Sequence, residues 1–207
     1  MGVLRRMFGP SKKEIWGKLS KEINGEYVDG GVWKGDKVVA RTGEWIVTLD
    51  TYTVSNGKTS TTYTRIRAPF INKDGFKFTI YRKSIFSGIG KLFGMQDIEI
   101  GIPTFDNAFI IKGNNKLKVM QLLSDTRIRE LMEAQPALYV SVKDDEGWFG
   151  AEFPKGVDEL YFQAIGVIKD PERLKNLFDI FSEVLNQLCR IGSAYENDPN
   201  ASPDRSH

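Results

Sequence analysis

The stretch from Trp45 to Ala68 constrains this chain most: two alternating, threonine-rich runs are separated there by Asn56-Gly57. Both loop residues tolerate positive φ, which a two-residue type I′ turn requires. The pattern predicts a long antiparallel hairpin with Asn56 and Gly57 as its turn. Counting outward puts Trp45, Val47, Leu49, Ile66 and Ala68 on one face, and Asp50, Tyr52, Tyr63, Arg65 and Arg67 on the other. The first face reads as core. A lone hairpin is marginal in water, so further strands and a covering layer must accompany it.

The rest of the chain supplies them. Ser11 and Glu14 form a capping-box pattern ahead of Ile15, Trp16, Leu19 and Ile23, and Asn24-Gly25 ends a helix expected over 11–24. Period-two runs near Tyr27-Val28, 37–41 and 76–82 join the hairpin in an antiparallel meander. After a Gly-rich stretch from Ser84 to Met95, strands are expected at 97–100 and 105–112. Two short helices come after them, one around Leu117, Met120 and Leu123, the other capped by Ser124 and carrying Ile128, Leu131 and Met132. Strands at 138–143, 148–153 and 160–168 come next, the first two joined through Asp144-Asp145-Glu146-Gly147.

Asp170 as cap and Pro171 at the first helical position open the clearest element. Leu174, Leu177, Phe178, Phe181, Leu185, Leu188 and Ile191 form its stripe, and Gly192 closes it. Each such side chain is worth roughly 1.5–3 kcal/mol when buried, so the stripe must lie on a sheet. The fold class is therefore α+β, with antiparallel sheet in both halves, an N-terminal helix, a central short helix pair and a long C-terminal helix packed on the sheet. The segments are 1–95, 96–192 and a polar tail, 193–207, expected to be disordered; the two halves form either one domain or two.

Composition narrows the functional classes. The chain is 41% hydrophobic and 27% charged with a net charge of +2, an ordinary globular balance with no strong nucleic-acid signal. A single cysteine, Cys189, cannot form an intrachain disulfide, and neither a secretory pattern nor an apolar run of about 20 residues is present, so a cytoplasmic location is expected.

The only histidine is His207, at the end of the tail, which argues against histidine-dependent catalysis and a histidine or cysteine metal site. No catalytic residue, metal ligand or cofactor is assigned. Cys189, on the flank of the last helix, reads as a small buried hydrophobe. Asp50, Asp97, Glu99 and Asp106 are the acid/base or Mg²⁺ candidates, against the commoner reading of solvated strand faces and ion pairs. Gly88, Gly90 and Gly94 invite a phosphate-loop reading that fails: Leu92 stands where a Walker loop needs Ser or Thr, and Phe93 where a dinucleotide fingerprint needs Gly. That stretch is expected to be a buried connector, its alternative being an interfacial segment exposing Phe86 and Phe93. Arg5 and Arg6 lead a basic, amphipathic N-terminus that suits membrane or partner contact, or simply a solvated helix face.

Several blocks carry a resemblance. Trp33-Lys34-Gly35-Asp36-Lys37, Tyr63-Thr64-Arg65, Arg67-Ala68-Pro69-Phe70 and Phe93-Gly94-Met95-Gln96-Asp97 resemble blocks of a bacterial protein family of unknown function. The Phe105-Asp106-x-x-Phe109-Ile110-Ile111-Lys112-Gly113 block is also similar to a broader bacterial domain of unknown function. Neither resemblance implies an activity or a site residue.

The leading functional reading is a non-enzymatic binding or scaffold module whose partner is a protein or an anionic ligand, with Arg65, Arg67, Tyr52, Tyr63 and Asp50 as binding residues. The alternative is a peripheral lipid-binding domain, pleckstrin-homology-like by architectural analogy, touching the membrane through Phe86, Phe93, Arg5 and Arg6. A Mg²⁺-dependent carboxylate enzyme stands third.

Overall fold

The computed structural model describes residues 10–31, 35–85, 95–144, 153–197, 199 and 201. Its chain order is α1 (Lys12–Glu22), β1 (Glu26–Val28), β2 (Lys37–Thr42), β3 (Trp45–Ser55), β4 (Ser60–Asn72), β5 (Phe78–Arg82), β6 (Gln96–Asp97) and α2 (Pro103–Ala108). Then come β7 (Phe109–Gly113), α3 (Lys116–Leu123), α4 (Thr126–Glu133), β8 (Tyr139–Lys143), β9 (Val157–Ile165), α5 (Pro171–Arg190) and β10 (Ala194–Tyr195). The fold is α+β.

All the described strands belong to one sheet of order β1-β2-β3-β4-β9-β8-β5-β7-β6, with β10 added on β4. Every strand pair is antiparallel. β5 sits between β8 and β7, so strands from the first and second halves of the chain interleave.

Alternation along the strands gives the sheet two unlike faces. Trp45, Val47, Leu49, Ile66, Ala68, Phe70, Phe162 and Ile80 point into one core together with the apolar sides of α1 and α3 to α5. Asp170 caps α5 by accepting from the backbone N–H groups of Glu172 and Arg173 at 3.0 and 3.2 Å. Ile180 and Val184 join the expected stripe in widening its buried side. Ser11 and Glu14 close their capping box on α1, and Trp16 Nε1 donates to the Ile168 carbonyl at 3.1 Å, tying α1 to the approach to α5. Lys175 bridges back to Glu22 at 2.6 Å. The buried apolar side chains of all the described helices join that one core.

The hairpin departs from expectation in its turn. The last pair is Ser55 with Ser60, so the loop has four residues rather than two. Gly57 has φ +82° while Asn56 does not enter the left-handed region. Instead Asn56 Oδ1 accepts from the N–H groups of Lys58 and Thr59 at 3.1 and 2.9 Å, a side-chain-closed turn that competes with type I′. The register moves by two residues, an even number, so every side chain keeps its expected face.

Four further expectations are corrected. Phe105 to Ala108 is helical rather than strand: Pro103 begins a helix, and Phe105 stacks on Phe109 with centroids 4.4 Å apart. Asp125, not Ser124, caps α4, accepting from Arg127 and Ile128. On α3 the buried side is Val119, Leu122 and Leu123, which leaves Leu117 and Met120 exposed. Gly113 on β7 permits that packing, since a Cβ there would stand 2.6 Å from Val119 Cγ2. Finally, the start of the tail is ordered: Ala194 and Tyr195 pair with Asn72 and Ile71. The strand expected at 148–153 lies outside the described residues except for Phe153, which is not in a strand.

Candidate functional site

The second face of the sheet carries chemistry where the first carries aliphatics. Register brings Thr48, Arg67, Tyr161, Ser141, Thr79, Lys112 and Asp97 into one row running from β3 to β6. The adjacent row begins Asp50, Arg65 and Gln163, and the next holds Tyr52 opposite Tyr63. Tyr81, Tyr139 and Tyr161 form an apolar cluster with Ile110, separate from the main core. No described helix contributes to that cluster. Five of the chain's seven tyrosines therefore share this face, on which no described helix packs.

The deepest layer of this face is ionic. Arg65 Nε and Nη2 donate to the two carboxylate oxygens of Asp50 at 2.7 and 3.0 Å, a bidentate fork. Arg67 Nη2 reaches Asp50 Oδ2 at 2.5 Å, and its side chain is only 1% exposed. One carboxylate thus serves two guanidinium groups. Glu159, fully buried, stands opposite Lys143 in the neighbouring row.

Above the ion cluster lies an aromatic layer. Tyr52 leans across β4, with the Arg65 guanidinium 5.0 Å from its ring centroid, and its hydroxyl donates to Gln163 Oε1 on β9 at 2.7 Å. The Tyr161 hydroxyl donates to the same oxygen at 2.9 Å, and Lys143 Nζ lies 3.1 Å from the Tyr161 ring centroid. Tyr63 stacks on Tyr52, centroids 5.1 Å apart and planes 15° from parallel. Further along the face, burial pushes the phenols of Tyr81 and Tyr139 up.

Toward the hairpin end this face opens. Val54, next to Tyr52 on the same face of β3, is 53% exposed, and Ile165, two residues beyond Gln163 on β9, is 77% exposed. Tyr52, Tyr63 and Gln163 are half-buried between them. The arrangement is a stacked aromatic pair, two flanking aliphatic side chains and one amide.

All five binding residues read from the sequence, Asp50, Tyr52, Tyr63, Arg65 and Arg67, come together here. Both arginines are bound to Asp50. Sequence reasoning missed Gln163, Tyr161 and Lys143, whose only signal was alternation along β8 and β9. Arg5, Arg6, Phe86 and Phe93 lie outside the described residues, as does His207.

The carboxylates offered for acid/base or Mg²⁺ chemistry are each differently engaged. Asp97 pairs with Lys112 at 2.9 Å. Asp106 accepts from the N–H groups of Ile100 and Gly101 at 3.0 and 2.9 Å. Glu99 is exposed and Asp50 belongs to the arginines. Among the described residues no three His, Cys, Asp or Glu side chains gather to hold a metal ion. Cys189 is half-buried, its thiol pushed up by burial and by the charge of Glu196.

One cluster has the residue types of a nucleophilic site. Lys118 Nζ meets both Asp74 and Ser193 Oγ, the latter at 2.7 Å. Ser193 is 1% exposed, and Lys118 donates to its hydroxyl. The cluster pins β10 to the turn after β4 and does not present a nucleophile.

No family model matches the chain, and no curated protein matches it. Among solved structures it is similar to the mycobacterial trehalose monomycolate transport factor A, TtfA, with a TM-score of 0.51 and 10% identity over 86% of this chain and 94% of that one. That likeness concerns the fold alone. Among the described residues, no helix is long and apolar enough to cross a membrane.

Proposed function

We propose that the chain is a non-enzymatic binding module that takes its ligand at the hairpin end of the helix-free sheet face. The observation that carries this reading is the stacked Tyr52–Tyr63 pair, held rigidly by Gln163 and Arg65 and flanked by exposed Val54 and Ile165. Rigid amphipathic aromatics give large contact area at small entropic cost, and exposed aliphatics around them mark a contact surface. The ion cluster beneath acts as its foundation: with Asp50 bound to both arginines, the face presents rings and an amide rather than a bare cationic pocket. The low usage of cysteine supports a cytoplasmic setting.

A peripheral lipid-binding domain is the second reading, favoured by Val54 and Ile165 standing beside tyrosines, whose rings suit an apolar-to-aqueous boundary. Ligand-observed NMR with neutral, anionic and cationic aromatic fragments tests the binding reading directly. Fragments should bind the wild-type chain and lose that binding in Tyr63→Ala, at unchanged melting temperature. Fragments that bind both chains equally would place the site elsewhere.

A further inference from the structure

Resting on the binding face proposed above, we propose that its ligand is a neutral polyhydroxylated ring, the chemical class of a pyranose sugar. Both the Tyr52 and Tyr161 hydroxyls donate to Gln163 Oε1, which fixes the amide and directs its nitrogen away from them. Among the described residues nothing accepts from Gln163 Nε2, and the side chain is half-buried without this nitrogen being sealed from solvent, so the amide keeps a donor for a ligand. Tyr63 has one ring face against Tyr52 and is half-buried, which leaves an aromatic surface at the outer end of the stack. Arg65 is directly opposite Gln163, and Tyr63 lies two residues from Arg65 on β4. A residue and its diagonal cross-strand neighbour stand roughly 7–8 Å apart, a span that one six-membered ring with its hydroxyls bridges.

Such a ring is amphipathic in the way this surface is. One side is a sheet of polarised C–H bonds, which the negative face of an aromatic ring attracts; its rim is hydroxyl, which an amide N–H satisfies. Exposed Ile165 and Val54 extend the apolar side of the platform. Charge argues against the competing classes. The carboxylate of Asp50 occupies both arginines, so a phosphate or carboxylate ligand would have to displace it. The hairpin tip, Ser55-Asn56-Gly57-Lys58-Thr59-Ser60, carries no apolar side chain to enter a bilayer.

Amide and aromatic NMR shifts test this with four probes: maltose, cellobiose, inorganic phosphate and phosphatidylglycerol vesicles. At least one disaccharide should shift Tyr63 and the Gln163 side-chain amide. Tyr63→Ala and Gln163→Ala should each weaken it by about tenfold, the loss of one stacking or hydrogen-bonding group, whereas Tyr195→Ala, at an exposed ring elsewhere, should not. Melting curves of the three variants separate a lost contact from a lost fold. Response to phosphate or vesicles alone overturns the sugar assignment while leaving the binding face in place. Silence to all four also overturns it, and the fragment screen then decides whether the face binds anything.

Discussion

Asp50 and Arg65 stand directly opposite each other on β3 and β4 and exchange two charge-assisted hydrogen bonds, while Arg67, two residues further along, takes a third on the same carboxylate. The pair sits under Tyr52, with 12% of the Asp50 side chain and 19% of the Arg65 side chain exposed. Removing one member of a buried, hydrogen-bonded ion cluster leaves the others uncompensated. Asp50→Ala should therefore cost about 3–5 kcal/mol in urea unfolding. A loss under about 1 kcal/mol, the size of a surface pair, would show that the cluster is solvated and does not support the face above it.

Gly57 gives the turn its direction through φ +82°. A β-branched residue there must adopt a conformation that clashes with its own carbonyl, so Gly57→Val should destabilise by about 1–2 kcal/mol. Thermal unfolding measures it. An unchanged midpoint would mean that the loop relaxes to another turn without strain.

Both of these features lie within one short segment, which is why they are legible in the sequence. Alternation and the Asn-Gly signal place Asp50, Tyr52, Tyr63, Arg65 and Arg67 on one face, and the even slip in register does not disturb that assignment. The residues that complete the site are not legible in the same way. β4 pairs with β9, so Arg65 meets Gln163 across almost a hundred intervening residues, and no local pattern names that partner. β5 leaves the meander to sit between β8 and β7, a pairing decided by packing of the whole sheet. The strand expected from Phe105 fails for a different reason: Phe105 and Phe109 are four apart, a helical spacing that also reads as an apolar run, and Pro103 is the helix-start signal. Ser193 to Tyr195 resemble tail because two residues carry too little periodicity to announce a strand.

Asp158 gives the fold a pH dependence of defined sign. It is buried where Asn72 Nδ2 donates to its Oδ2 at 2.5 Å, and burial raises its carboxyl above the ordinary range, with Asn72 and Lys77 opposing and Asp144 adding to the rise. A carboxyl raised in the folded state contributes stability that is full below its unfolded pKa and lost as pH rises through the folded one. Asp158→Asn keeps an oxygen to accept from Asn72 and removes the charge. It should melt higher than wild type at pH 7, with the gain vanishing at about pH 3, below the unfolded carboxyl range. A gain that persists unchanged there would assign the effect to packing.

Truncation separates the contribution of α5 from that of β10. A chain ending at Lys169 should lose cooperative unfolding, because Leu174, Leu177, Phe181 and Leu185 fill the core. Ending at Gly192 should lower the melting temperature, since it removes the Ser193 contact with Lys118 and the β10 pairing. Ending at Asn197 should have no effect. Equal melting of the Gly192 and Asn197 chains would remove β10 from the stable fold.

A map of amide shifts for any fragment that binds probes the binding face most closely. Binding at the stacked tyrosines requires shifts concentrated at Thr53 and Val54 on β3, Thr61 to Tyr63 on β4 and Gln163 to Gly166 around the end of β9, with α1 and α5 silent. Shifts concentrated on the helix layer, or spread evenly over the chain, would rule out the helix-free face as the binding surface.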